Sequence, residues 1–377
     1  MARTPGLQTR CVHAARAPDA TTGSVAQPIY LTTTFQRDED GGYARGYRYS
    51  REGTPNRAAL EACVAELEGG AGALAFSSGL AANMALLELL ASGEQLIAPL
   101  EGYYGTLKQF REHAARRGVQ VAFADFTDPA KLSAALTPAT RMIWVETPAN
   151  PLLSITDLAQ VCAIGRRAGA WVVCDNTFAT PICQRPFEHG ADLIVHSGTK
   201  YFGGHSDVLS GLLVVREDAA LLERLRQWQR LSGATLGAFD CWLLRRSTAT
   251  LALRVRTQCT NAQQVAEFLA KHPRIERVYY PGLPAHPGHA TARAQMPGGF
   301  GAVLSVCVAG GGAAAVAVTT HTRLFTRATS LGGVESLIEH RVTMEGPGST
   351  VPANLLRLSI GIEDAEDLID DLNQALK

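Results

Sequence analysis

The chain has no charge imbalance, no paired-cysteine spacing, no internal repeat and no long apolar run. Each absence closes off a class of function. Lysine plus arginine and aspartate plus glutamate stand at 35 each, so the formal net charge is zero. A nucleic-acid binder needs a basic face and a solvating tail needs a block of one sign, and neither is present. The eight cysteines are scattered without a CxxC pair, and Cys63, Cys174 and Cys307 sit inside apolar stretches. They read as small core residues of a reducing compartment, not as disulfides or zinc ligands. His286 and His289 flank a Pro-Gly turn without a cysteine or carboxylate at ligand spacing, so no metal site is expected. The first residues lack the apolar core of a secretory signal, and no run approaches bilayer-spanning length. We therefore expect a cytoplasmic protein with neither nucleic acid nor membrane as partner. A chain of 377 residues has room for two domains with substantial cores.

What is there centres on the stretch from Trp171 to Gly211, WVVCDNTFATPICQRPFEHGADLIVHSGTKYFGGHSDVLSG. Two short apolar runs, Trp171–Cys174 and Ala191–Val195, each end in polar residues. Such runs read as strands buried on both faces, and open parallel sheets bind ligands at the carboxyl ends of their strands. Asp175 follows the first run; His196-Ser197-Gly198-Thr199-Lys200 follow the second. A carboxylate and a lysine at one rim, with two hydroxyls beside the lysine, suit one cofactor. Pyridoxal 5'-phosphate needs a lysine for its aldehyde, a carboxylate for its ring nitrogen and donors for its phosphate. Lys200 then carries the aldehyde and moves protons, Asp175 keeps the ring nitrogen protonated, and Ser197 and Thr199 donate to the phosphate.

The wider pattern agrees. Strands are expected at Ala73–Phe76, Gln95–Ala98, Val119–Phe123, Met142–Val145, Trp171–Cys174, Asp192–Val195 and Gly211–Val215, with amphipathic helices between most of them. That alternation predicts a mainly parallel sheet covered on both faces. After the first strand, Ser77-Ser78-Gly79-Leu80-Ala81-Ala82 opens a helix whose free N–H groups aim at an anion. The GGAG before that strand stands on the wrong side for a dinucleotide loop. Thr54 and Pro55 form a helix start, as N-cap and first helical residue. Residues 1–48, rich in Thr, Gly, Pro and Arg, read as an extended arm. Residues 49–245 read as the cofactor domain and 246–377 as a smaller α+β domain. In the latter, strands are expected near Ile275–Tyr280, Ala302–Val308, Leu324–Arg327 and Leu355–Ile360. A long helical stretch, Leu221–Lys271 with breaks near Ser232–Gly237, joins the two, and a closing helix covers Asp364–Leu376.

DNTFATP followed by ADLIVHSGTKYFGGHSDVLSG resembles the lysine signature of the Cys/Met-metabolism (trans-sulfuration) enzymes, which use pyridoxal phosphate. The resemblance runs over nearly the whole chain. It implies an α/β, fold type I (aspartate-aminotransferase-like) architecture with a seven-stranded sheet and a homo-oligomer, a tetramer built from dimers, acting on a small amino-acid substrate. SSGLAA implies Gly79 and Leu80 as backbone phosphate donors. EGYYGT implies Tyr103 as the tyrosine that stacks on the ring and moves protons. ETPANP implies Asn150 at the ring hydroxyl or the substrate carboxylate, with Glu146 bracing the rim. Thr177 falls against the ring face. YSR implies that Tyr49 and Arg51 reach the phosphate of a neighbouring subunit. SLGGVESLIEH places Ser330 and Glu335 in the substrate pocket, and LLRLSIGIED places Arg357 on the substrate α-carboxylate, where a guanidinium fork fixes orientation.

Departures matter as much. Arg48 stands where several relatives have an acid near the distal amine of the substrate. Gly105 replaces the cysteine common in methionine γ-lyases, and Leu331 and Val334 replace aromatics usual in cystathionine β-lyases. In EHRVTMEGPGSTVPANLLR, most relatives have His-Pro and a longer insert before the arginine. The implied reaction is γ-elimination or γ-replacement on a sulfur-containing or homoserine-derived amino acid, of the cystathionine γ-lyase or γ-synthase type. Alternatives are a β-lyase or methionine γ-lyase of the same family, a specialised biosynthetic γ-replacement enzyme, and, from another class, a cofactor-free binding protein on this fold.

Overall fold

A computed structural model describes residues 5–346 and 349–377. Seven strands build the large sheet: β1 (Gly72–Phe76), β2 (Gln95–Pro99), β3 (Gln120–Ala124), β4 (Thr140–Glu146), β5 (Trp171–Asp175), β6 (Leu193–Ser197) and β7 (Gly211–Val215). Their spatial order is β1-β7-β6-β5-β4-β2-β3, with β7 alone antiparallel to its neighbours. The apolar runs form strands because both faces are covered. In β5, Val173 packs into one core, while Val172 and Cys174 pack into the core on the opposite face. In β6, Leu193 and Val195 face one way and Ile194 the other. Each such side chain contributes roughly 1.5–3 kcal/mol by leaving water. Register then aligns Glu146, Asp175 and Val195 at one edge.

The small sheet holds β8 (Ile275–Tyr279), β9 (Val303–Val308), β10 (Thr326–Arg327), β11 (Leu337–His340) and β12 (Leu355–Ser359) in the order β10-β11-β12-β9-β8. Within β12, Leu356 and Leu358 enter the core. The alternate residue Arg357 stands beside Glu339 of β11 and Ser305 of β9. Ser305 Oγ donates to the Pro151 carbonyl at 2.7 Å, which docks this face on the loop after β4.

Helix ends follow local chemistry. Thr54 caps Pro55–Glu68 by accepting from the Arg57 N–H, and Gly69 closes that helix in the left-handed region. Four elements differ from the sequence reading. The expected strand Leu324–Arg327 shrinks to the two residues of β10, and β11 was not anticipated. The helical stretch from Leu221 breaks twice, giving Ala219–Ser232, Ala238–Thr248 and Leu251–Leu269. The arm is not extended throughout: Leu7–His13 is helical, with Cys11 buried and the Arg245 guanidinium donating to the Cys11 and Ala14 carbonyls. Beyond it, Val25 and Leu31 are exposed at 67% and 79%. Among the described residues, no helix is long and apolar enough to cross a membrane.

Candidate active site

The cavity forms where the carboxyl rim of the large sheet meets the Arg357 face of the small one. It has a volume of about 220 Å³, and its lining includes Gly79, Leu80, Tyr103, Asn150, Asp175, Thr177, Ser197, Thr199, Lys200, Ser330 and Arg357. Of the chain's five lysines, Lys200 is the one in this lining.

Asp175 ends β5, and its Oδ1 accepts the Thr177 N–H at 3.0 Å. Burial raises its carboxyl above the ordinary range, while hydrogen bonds from Thr177 pull it back. The Thr177 hydroxyl also accepts the Ser197 N–H at 2.9 Å, tying the ends of β5 and β6 together. Behind them, His196 Nε2 meets Glu68 Oε1 at 2.6 Å in full burial. His196 is thus held behind the rim by Glu68.

Ser78 caps the helix Gly79–Leu87 by accepting the Ala81 N–H, so the first turn opens on the cavity. The turn lies so close to β7 that a Cβ at Gly211 would come within 2.1 Å of the Ser78 carbonyl oxygen. Only glycine fits there. Thr199 lines the cavity, but its single hydroxyl proton goes to the Ser210 carbonyl at 3.2 Å. The Ser197 hydroxyl has no such engagement within the described structure.

Lys200 Nζ donates to Ser330 Oγ at 2.7 Å. Burial and the nearby Arg357 guanidinium depress its pKa to about 8, with Glu339 pulling the other way. Arg357 donates from Nη1 to Asn150 Oδ1 at 3.0 Å and from Nη2 to the Ser330 carbonyl at 2.9 Å. Its own pKa falls to about 10, chiefly through burial. Glu146 accepts the Tyr103 and Asn150 N–H groups, which fixes both residues on the rim as expected of a brace. Burial, then the like charge of Asp175, pushes Glu146 up to about 8.

Four sequence candidates lie elsewhere. Arg51 donates to the Arg230 carbonyl at 2.8 Å with its guanidinium over the Tyr49 ring, and Arg48 pairs with Glu52 at the surface. None of these three enters the cavity of its own chain. Glu335 accepts from Ser206 in an adjoining hollow that shares Thr199 and Ser330 with the main cavity. Two residues escaped the sequence reading. Glu339 belongs to β11 and Arg341 opens the short helix Arg341–Glu345 after it; no local pattern announced either, and only the β11–β12 register sets Glu339 opposite Arg357.

The donor set fits pyridoxal phosphate on structural grounds. A buried carboxylate whose pKa burial has raised gains most from a cationic ring N–H. A lysine of lowered pKa stands on the neighbouring strand's extension, and a capped helix start with a nearby hydroxyl suits a phosphate.

The relatives agree over the full length. A family model described as Cys/Met metabolism PLP-dependent enzyme matches residues 8–377. The cystathionine γ-synthase of Mycobacterium tuberculosis is 48% identical over 377 residues, covering 98% of this chain and 97% of its own. The cystathionine β-lyase of Coxiella burnetii is 43% identical, with 98% and 97% covered. A crystal structure of cystathionine γ-synthase from Xanthomonas oryzae pv. oryzae, in complex with aminoacrylate and cysteine, superposes with a TM-score of 0.96 at 42% identity, covering 99% of this chain and 98% of that one. With strand order, rim chemistry and full-length similarity in accord, the chain belongs to the Cys/Met metabolism family of pyridoxal-phosphate-dependent enzymes.

Proposed function

We propose that the chain catalyses γ-replacement or γ-elimination on a homoserine-derived or sulfur-containing amino acid, of the cystathionine γ-synthase or γ-lyase type. The carrying observation is the placement of Lys200, with its lowered pKa, between the Asp175 rim and the Arg357 guanidinium. Asp175 would hold the ring nitrogen of pyridoxal phosphate, with Thr177 and Tyr103 beside the ring in the same cavity. Gly79 and Leu80 N–H groups with the Ser197 hydroxyl would hold its phosphate, and Thr199 positions the loop through Ser210. Tyr49 and Arg51 complete the phosphate site from a neighbouring copy, so the active form is an oligomer, a tetramer of paired dimers.

Arg357 seats the substrate α-carboxylate, and Asn150 keeps that guanidinium in plane. When bound, pyridoxal phosphate supplies an electron sink for the charge left at Cα. Lys200 Nζ, poised near neutrality, takes the proton from Cα and then moves one from Cβ. Tyr103 donates its hydroxyl proton to the departing γ-substituent. Ser330 orients Lys200, and Glu335 with Arg48 of a neighbouring copy faces the distal end of the substrate.

The test is a substrate panel with the holoenzyme: cystathionine, O-succinyl-, O-acetyl- and O-phosphohomoserine and methionine, each with and without cysteine, followed by product mass. Cystathionine formed only with cysteine selects replacement, and a 2-oxo acid with cysteine as the released thiol selects γ-elimination. Homocysteine released from cystathionine, or no turnover of any member, overturns the proposal.

A further inference from the structure

The residue after His340 is an arginine, and its side chain reaches the wall of the cavity. Arg341 is 5% exposed. Its Nη1 donates to Glu339 Oε1, and its Nη2 donates to Glu345 Oε1 at 2.7 Å. Glu345 in turn accepts from Ser349 Oγ at 2.7 Å. On the other side, Arg357 Nη2 lies 2.7 Å from the same Glu339 Oε1. Cations and anions therefore alternate along one buried row: Arg357, Glu339, Arg341, Glu345. Two guanidiniums converge on a single carboxylate oxygen, while Glu339 Oε2 and Arg341 Nε have no partner among the described residues.

That sharing has a consequence for Arg357. A carboxylate facing one guanidinium turns to engage it with both oxygens, since the bidentate pair is the strongest geometry available. Glu339 in that posture would compete with a substrate carboxylate for the Arg357 fork. Arg341 draws Glu339 toward itself and confines it to one oxygen and one nitrogen of Arg357. Glu345 offsets the charge that Arg341 brings, so the row stays balanced in a buried setting where an unpaired ion is costly.

We propose that Arg341 is a positioning residue for substrate binding: by holding Glu339, it limits that carboxylate to a single contact with Arg357, which an α-carboxylate can then engage. This rests on the reading of Arg357 given above. The experiment titrates the absorbance of the holoenzyme with L-alanine and with L-alaninamide, which differ only in the carboxylate. Wild type binds alanine more tightly than the amide. Arg341→Met weakens alanine about tenfold, roughly one lost charge-assisted contact, and leaves alaninamide unchanged. With the turnover substrate, KM rises by a similar factor and kcat stays within about twofold. Arg341→Lys keeps the cation without the fork, is the variant least prone to misfold, and recovers part of the loss. If wild type discriminates and both variants keep that discrimination, or if both ligands weaken equally, the proposal is overturned. A wild type that binds the two ligands alike faults the Arg357 reading instead.

Discussion

The two walls of the cavity are built on different plans. The large-sheet wall takes its residues from the ends of parallel strands, where the apolar run stops and the polar loop begins. Asp175 closes β5, and Lys200 follows β6 by a few residues. The small-sheet wall takes Arg357, with Glu339 behind it, from inside antiparallel strands, where every second residue faces the seam. The first plan gathers functional groups into contiguous motifs. The second scatters them as single polar interruptions in apolar strands, each meaningful only beside its cross-strand neighbour. Chemistry on the cofactor is thus local in sequence, and recognition of the substrate is local only in space.

Substitutions on the two walls should separate in kind. On the large-sheet wall, Lys200→Ala is expected to lower kcat by about 10³-fold or more, because no other lysine reaches the cavity. Its thermal transition should stay close to wild type, since the change removes a cation that burial disfavours. Loss of activity together with loss of folding would erase the contrast. On the small-sheet wall, Arg357→Leu should cut kcat/KM by roughly 10²-fold, mainly through KM, while the visible absorbance of the cofactor persists. A bleached Arg357→Leu protein would mean that the arginine serves cofactor rather than substrate.

Tyr103→Phe sharpens the division further, since Tyr103 belongs to the large-sheet wall but is proposed to act on the leaving group. We expect kcat to drop roughly 10- to 100-fold with KM little changed, the loss shrinking for substrates whose γ-substituent leaves without protonation. Equal losses for good and poor leaving groups would assign Tyr103 to ring stacking alone.

The smallest effect concerns stability. Glu146 has a folded-state pKa of about 8 against an ordinary 4.5, so between those values the folded chain holds a proton that the unfolded chain has released. The stability of the cofactor-free protein should therefore fall as pH rises from about 5 to 8. Glu146→Gln should flatten that fall, with a residual slope left by Asp175, whose carboxyl is also raised. Urea unfolding at the two pH values measures it, and an unchanged slope would refute the assignment.

The same division explains what could be read from the chain alone. All seven strands of the large sheet were legible, because a strand buried on both faces is a short unbroken apolar run such as Trp171–Cys174. β11 was not, because Leu337-Ile338-Glu339-His340 breaks its apolar run after two residues and carries two ionisable groups. With β11 unseen, nothing placed Glu339 beside Arg357 or Arg341 beside Glu339. The Thr199 hydroxyl looked free as a sequence neighbour of Lys200, yet its partner Ser210 lies across a turn that no local pattern announces. The helix Leu7–His13 was missed for a similar reason: one buried residue, Cys11, gives no apolar period.

The account stands on one covalent attachment. Reduction of the holoenzyme with borohydride, followed by proteolysis and mass mapping, should place a phosphopyridoxyl group on the peptide containing Lys200 and on no other. The same group on Lys108, Lys131, Lys271 or Lys377, or an unmodified Lys200 peptide from a protein that retains its visible absorbance, would contradict it.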